Sequence, residues 1–243
     1  MENAEYQNIF QNEGTNFYYV ATHALVLALV RRYVPMKRRG KILDAGAGTG
    51  MLAKKLRSMG VVTAIDVHEQ AIFFARARGV TVRKASLGRL PYRANTFDVT
   101  TCIDVLYHRQ VEDDVQALRE LYRVLRPGGV LIVRVAALPW ARTAHDDVVH
   151  ARHRYQKKEL DEKLTGAGFT VDKLSYVGLV LLPFRLARKL YETVVHPKRP
   201  TSAVTPLPVL INWVLTTIML LEHWLVVYIN LPIGIGLIAV ARK

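Results

Sequence analysis

Cysteine is nearly absent from this chain: Cys102 is the only one in 243 residues. An intramolecular disulfide is thereby excluded, and a cysteine-built zinc site has too few ligands to form; no metal is expected. A reducing compartment suits such a composition. Acids are also scarce, 20 against 34 lysines and arginines, which leaves a formal net charge of +14. So basic a chain calls for a polyanionic neighbour, either nucleic acid or an anionic membrane face. Residues 1–15 lack the basic start, apolar stretch and small-residue cleavage site of a secretory signal, so a cytoplasmic location is expected. Internal repeats and low-complexity tracts are missing too. There is no G-x-x-x-x-G-K-[ST], which argues against a nucleotide triphosphatase, and no G-x-G-x-x-G of the dinucleotide binders.

Hydrophobic residues, at 51%, are plentiful enough for one α/β domain with a sizeable core. Residues 16–34 read as a helix that opens on Phe17, Tyr18 and Tyr19 and ends at Val34-Pro35 and the basic cluster Lys37, Arg38 and Arg39. Strands and helices then alternate. Strands are expected at 41–45, 61–66, 80–85, 97–103 and 130–136, and helices at 49–59, 69–78, 112–125 and 157–164. Pro127-Gly128-Gly129 stops the third of these helices. Two further strands are expected at 169–180 and 233–240. The pattern predicts an α/β, Rossmann-like fold: a seven-stranded, mostly parallel sheet with helices on both faces, and a helical apolar insertion before the last strand. A single domain over 1–243 would divide into an N-terminal helical lid (1–39), a cofactor-binding core (40–180), the insertion (181–231) and the final strand (232–243). The Pro-rich stretch 196–208 is the natural linker.

Asp44 closes the first strand and runs into Gly46, Gly48 and Gly50, and then into a helix. Glycine lets the backbone come close to a ligand, and the helix N-terminus directs free N–H groups at the same point, so a small anionic group is favoured there. A tight turn without a ligand would have the same sequence. Asp66 ends the next strand 22 residues later, the spacing at which an acid reaches a ribose diol, or else caps the helix near Glu69.

Four stretches carry a family resemblance. They are Ile42 to Gly50, Ala64-Ile65-Asp66, Leu90-Pro91-Tyr92 with Phe97-Asp98-Val99, and Leu118 to Gly129. In order and spacing they resemble the class I S-adenosylmethionine-dependent methyltransferases, within them the group that includes the ubiquinone and menaquinone ring methylases. The resemblance covers about residues 16–180 and resumes at the final strand. It implies S-adenosylmethionine as cofactor, with Asp44 and the three glycines on its methionine end, Asp66 on the ribose and Val67 beside the adenine. Where the family usually has an acid for the adenine amino group, this chain has Ser86, followed by Leu87; a hydroxyl makes the weaker hydrogen bond. Asp104, after the fourth strand, either faces the donor or caps the next turn.

Methyl transfer needs alignment and, for a hydroxyl or phenol, a base. Residues 145–155 hold three of the eight histidines, and His145, Asp146, Arg154 and Tyr155 match an H-D…R-Y pattern of relatives in this position. His145 is the candidate base, with Asp146 setting its tautomer and Arg154 and Tyr155 shaping the acceptor pocket. His150 stands beside Ala151, where relatives often carry a second histidine. A solvated charged loop is the plainer alternative, as core packing is for Phe17, Tyr18 and Tyr19 beside a lid role.

Within the insertion, residues 184–195 set Leu186, Leu190 and Val194 on one helical face and Arg185, Arg188, Lys189 and Glu192 on another, a basic face suited to an anionic membrane surface. Residues 207–229 are almost wholly apolar and long enough to span a bilayer core of ~30 Å. A single crossing would strand the last strand on the wrong side, and Glu222 and His223 would be costly at mid-bilayer. The segment is therefore expected to bend back, to lie in the interface or to cap the acceptor site. The expected function is methyl transfer to a small or lipid-like acceptor, at a hydroxyl, phenol or ring carbon, with peripheral membrane contact through 181–230 on the inner face of a membrane. A nucleic-acid methyltransferase is the first alternative, against which stands Cys102-Ile103-Asp104-Val105 in place of an Asn/Asp-Pro-Pro-aromatic signature. A non-catalytic membrane adaptor is the second.

Overall fold

Seven apolar runs separated by glycine and charged turns become seven strands in the computed structural model, which describes residues 3–34, 40–195 and 206–243. They are β1 (Gly40–Ala45), β2 (Gly60–Asp66), β3 (Val82–Lys84), β4 (Phe97–Ile103), β5 (Leu125–Ala136), β6 (Thr170–Val177) and β7 (Gly236–Arg242). Their order in the sheet is β3-β2-β1-β4-β5-β7-β6. β7 lies antiparallel between β5 and β6, and the remaining described pairings are parallel. The order reverses between β1 and β4, and the crevice beyond their carboxyl ends is where such a sheet binds ligands.

The nine described helices are α1 (Asn3–Asn12), α2 (Phe17–Tyr33), α3 (Met51–Leu56), α4 (Glu69–Ala77), α5 (Asp114–Val124), α6 (Ala144–Val148), α7 (Lys157–Gly166), α8 (Leu182–Val195) and α9 (Val209–Tyr228). Alternation along β5 explains why both faces are covered. Leu131 and Val133 pack with Leu118 and Leu121 of α5 and Leu160 of α7. Val130 and Ile132 pack on the other side with Leu25 and Leu29 of α2 and Val226 of α9. α5 starts where Asp113 accepts the N–H groups of Val115 and Gln116 at 2.9 and 3.0 Å.

The expected alternation holds, with three differences. α1 occupies residues whose polar composition gives no helical stripe, and α6 forms inside a segment expected to be a loop. Pro127-Gly128-Gly129 does not end at a helix stop: β5 begins at Leu125 and runs through it. The apolar segment 207–229 turns back as its topology requires: α9 lies against α2, and β7 returns its far end to the same sheet. His223 is hydrogen-bonded through Nδ1 to the Ala21 carbonyl at 2.9 Å, and Glu222 accepts the N–H groups of Gly178 and Val180 at 2.5 and 2.9 Å. The two polar residues of the segment are thus its anchors. The basic cluster 37–39 and most of the expected linker 196–208 lie outside the described residues.

Candidate active site

The loop after β1 folds back because Gly46 and Ala47 both donate to the Ile65 carbonyl, at 2.9 and 2.8 Å. A Cβ on Gly46 would stand 2.3 Å from a Val105 methyl carbon, so only glycine fits there. Gly50 does something else: with φ +84° it caps α3, and its Cβ would press on Ala75 at 3.0 Å. It does not line the cavity, so its expected place on the methionine end is corrected to a packing role.

A cavity of about 450 Å³ opens over the carboxyl edge of the sheet. Asp44, Gly46, Gly48, Asp66 and Val67 line it, and so do Ser86, Leu87 and Asp104, the remaining residues expected around the donor. Asp44 is buried; one carboxylate oxygen accepts from Thr101 Oγ1 at 2.7 Å and the other has no partner. Burial pushes its carboxyl up to about 6. Asp66 accepts the N–H groups of Gly48 and His68, both at 2.9 Å, and burial raises it as well. Buried unpartnered polar atoms cost free energy, and four of them, on Thr22, Asp44, Asp104 and Arg134, belong to residues lining this cavity. A polar ligand with a cationic group at Asp44 and a diol at Asp66 fits these residues.

α1, within the segment 1–39 expected as a helical lid, packs over the end of the cavity at Asp66. Tyr6 stacks on His68 with ring centroids 4.5 Å apart, next to Asp66, and Phe10 stacks on Phe74 at 4.9 Å. Glu13 pairs with Arg78 and accepts from Thr49 of the glycine loop, while Arg78 donates to Thr49 Oγ1 at 2.9 Å. Phe17, Tyr18 and Tyr19 of α2 also line the cavity.

At the other end, Asp104 sits at φ 58°, strained for a residue with a side chain, and pairs with Arg134. Arg134 is buried near the carboxyl end of β5 and donates to Tyr18 Oη at 2.6 Å. His145, Asp146 and Arg154 also line the cavity. Burial, with Arg185 nearby, pushes the His145 imidazole down to about 4. The described hydrogen bonds of Asp146 include Arg154 at 2.8 Å, Arg185 at 2.5 Å and the Thr143 N–H at 2.8 Å, so it anchors this corner. One expectation is corrected. Tyr155 is fully buried, donates to Asp114 at 2.6 Å and does not line the cavity. His150 takes φ 51° in a turn and does not line it either. Sequence reading misses Arg134, and it sets Arg185 and Arg188 on a basic face suited to a membrane surface; all three line the cavity.

Residues 43–133 match a family model described as a methyltransferase domain. A malonyl-[acyl-carrier protein] O-methyltransferase of Enterobacter lignolyticus is 35% identical over 57% of this chain and 58% of its own length. A ubiquinone/menaquinone biosynthesis C-methyltransferase of Bdellovibrio bacteriovorus is 34% identical over 50% of this chain and 55% of its own. The chain thus spans little more than half the length of these relatives. An S-adenosylmethionine-dependent methyltransferase of Mesorhizobium loti superposes with a TM-score of 0.59 over 89% of this chain and 96% of its own, at 18% identity, a likeness of fold alone. With the matched motifs in order along β1 to β5 and their side chains gathered around one cavity at the switch point of the sheet, residues 43–133 form a methyltransferase domain of the S-adenosylmethionine-dependent kind.

Proposed function

We propose that this chain transfers a methyl group from S-adenosylmethionine to a lipophilic acceptor, at an oxygen or a ring carbon, on the surface of an anionic membrane. When bound, S-adenosylmethionine supplies an electrophilic methyl group on a cationic sulfur. The protein supplies binding and alignment. The free oxygen of Asp44 would take the methionine ammonium, Asp66 the ribose hydroxyls, and Val67, Leu87 and Ser86 the adenine. Tyr6 and α1 would exclude water from the ribose side. His145 would accept a proton from a hydroxyl or phenol; lowered to about 4, it is in the accepting, neutral form throughout the neutral range.

The observation that carries this reading is the continuity of one cavity from the glycine loop to α8, whose outer face is apolar and exposed. The first-named relatives act at oxygen and at carbon, and both acceptor types stay within the proposal. An RNA acceptor is disfavoured by Cys102-Ile103-Asp104-Val105 after β4. Calorimetry with S-adenosylhomocysteine tests the donor site, and incubation with labelled donor and a membrane lipid extract tests the acceptor. Label passing into the organic phase is the expected result. Binding without any lipid labelling would sink the lipophilic acceptor; absence of binding would sink the whole reading.

A further inference from the structure

α8 is built inside out. Leu186, Leu190 and Val194 share one face, and that face is exposed, Leu190 by 67%. The other face turns Arg185, Arg188 and Glu192 toward the protein. Exposing leucine while drawing guanidinium groups inward is unfavourable on both counts, unless each face meets a partner of its own kind. For the inner face the carboxylate partners are shared. Arg185 donates to the Ala141 carbonyl at 2.8 Å and to Asp146 at 2.5 Å, but Asp146 also holds Arg154. Arg134 shares Asp104 with Tyr18, and its Nε has no partner. Arg188 pairs with Glu192. Among the described residues, four guanidinium groups and the carboxylates of Asp104 and Asp146 line this end of the cavity. The donor end is acidic, with Asp44 and Asp66. The cavity is polarised along its length, and its cationic end opens beside Leu181 and Phe184, the latter 63% exposed.

We propose that the acceptor is an amphiphile with an anionic head, a carboxylate or phosphate, which Arg185 and Arg188 draw into the cavity while its hydrocarbon tail stays at the apolar outer side of α8. This rests on the methyl-transfer reading. Planar guanidinium groups suit the two oxygens of such a head, and they stay charged at any working pH. Held there, the head neutralises the surplus cation and leaves the rest of the acceptor between Tyr18, Tyr107 and the donor end. The inner face of α8 then selects the head, and its outer face meets the medium that delivers the tail.

The test is calorimetry on the full chain, with and without saturating S-adenosylhomocysteine, using dodecyl phosphate, laurate, dodecanol and inorganic phosphate below micellar concentrations. Both anionic amphiphiles should bind roughly tenfold or more tightly than dodecanol, the scale of a hydrogen-bonded charge. Arg185→Gln should remove that preference, and Lys189→Gln, on the same helix but held by Trp140 outside the cavity, should keep it. Because Arg185 also braces Asp146, the partly exposed Arg188→Gln serves as the second variant and should weaken the preference in the same direction. Equal binding of dodecanol overturns the proposal. So does inorganic phosphate binding as tightly as dodecyl phosphate, which would make this a free-anion site, or equal losses in Lys189→Gln and Arg185→Gln, which would place the anion on the outer surface. Loss of S-adenosylhomocysteine binding alone strikes the donor reading, since head selectivity is measured without it too.

Discussion

Asp44 carries the pH behaviour of the donor site. Its folded value of about 6 lies above the 3.8 of an ordinary aspartate, because it is buried without a cation. A raised carboxyl favours folding below its unfolded value, and that contribution is lost as pH rises through about 6. The ligand-free protein should therefore lose stability between about pH 4 and pH 6 from this group. Donor binding runs the other way, since only the ionised carboxylate attracts an ammonium. S-adenosylhomocysteine affinity should rise from pH 5 to pH 7 and then level off, with proton release in calorimetry at pH 5.5; a flat profile would remove Asp44 from the methionine end. Asp66→Ala should weaken the same ligand by roughly 1.5–3 kcal/mol, the scale of hydrogen bonds to a charged group, and unchanged affinity would remove the ribose assignment. His145→Ala should cost turnover about 10²–10⁴-fold with donor affinity kept, as for a lost general base. The acids that end β1 and β2 are legible in the sequence because strand, acid and glycine are contiguous. Arg134 is not, because it hides in the run Val130-Leu131-Ile132-Val133-Arg134-Val135, which reads as a buried strand. Only the pairing of β4 with β5 brings it to Asp104. Tyr155 misleads for the opposite reason: near His145 in sequence, its bridge to Ala137 aims the hydroxyl at Asp114 instead.

Two elements act through contacts far apart in sequence. α1 holds the glycine loop through Glu13, Arg78 and Thr49 and stacks Tyr6 on His68 beside Asp66. Glu13→Gln should loosen that clasp and weaken S-adenosylhomocysteine by about 1 kcal/mol, a typical hydrogen-bond loss, mostly through faster dissociation in stopped-flow. An unchanged dissociation rate would make α1 a passive cover. α9 is fixed to the body by Glu222, which serves two backbone donors beside Gly178. Glu222→Ala leaves both N–H groups unpaired and should lower unfolding free energy by about 1.5–3 kcal/mol in urea; a change within 0.5 kcal/mol would mean that water replaces it. Length and composition locate α8 and α9 in the sequence, but not their orientation. A basic face on α8 predicts arginines toward an anionic surface, and the fold turns them inward, because the carboxylates of Asp146 and Glu192 lie on that side.

At the scale of the whole molecule, that inversion changes the physics of the proposed membrane contact. With Arg185 and Arg188 drawn toward the cavity, α8 offers lipid its leucines rather than its charges. α9 adds Trp213, Leu221, Trp224 and Tyr228, exposed and spaced along one side, while Met219, Glu222, His223 and Val226 face the body. Indole and phenol rings favour the boundary between headgroups and acyl chains, and apolar exposure on this scale marks a surface built to be covered. Because β7 returns to the sheet after α9, the helix in such a contact would lie along the interface rather than cross it. The net charge of +14 would still draw the protein to an anionic bilayer from a distance. The two contributions separate with salt. As the Debye length falls from ~10 Å at 0.1 M to ~3 Å at 1 M, the long-range part should fade and the apolar part persist. In liposome flotation, the wild type should bind vesicles containing phosphatidylserine at low salt and be only partly released at 1 M. Trp213→Ser with Trp224→Ser should weaken binding on the order of tenfold or more at either salt, since burying one large apolar side chain is worth about 1.5–3 kcal/mol, and should leave S-adenosylhomocysteine affinity unchanged. Full release of the wild type at 1 M salt would reduce the contact to charge alone. A wild type that stays soluble at low salt would end the membrane reading, and light scattering would then show whether the apolar faces of α8 and α9 close on a second copy of the chain.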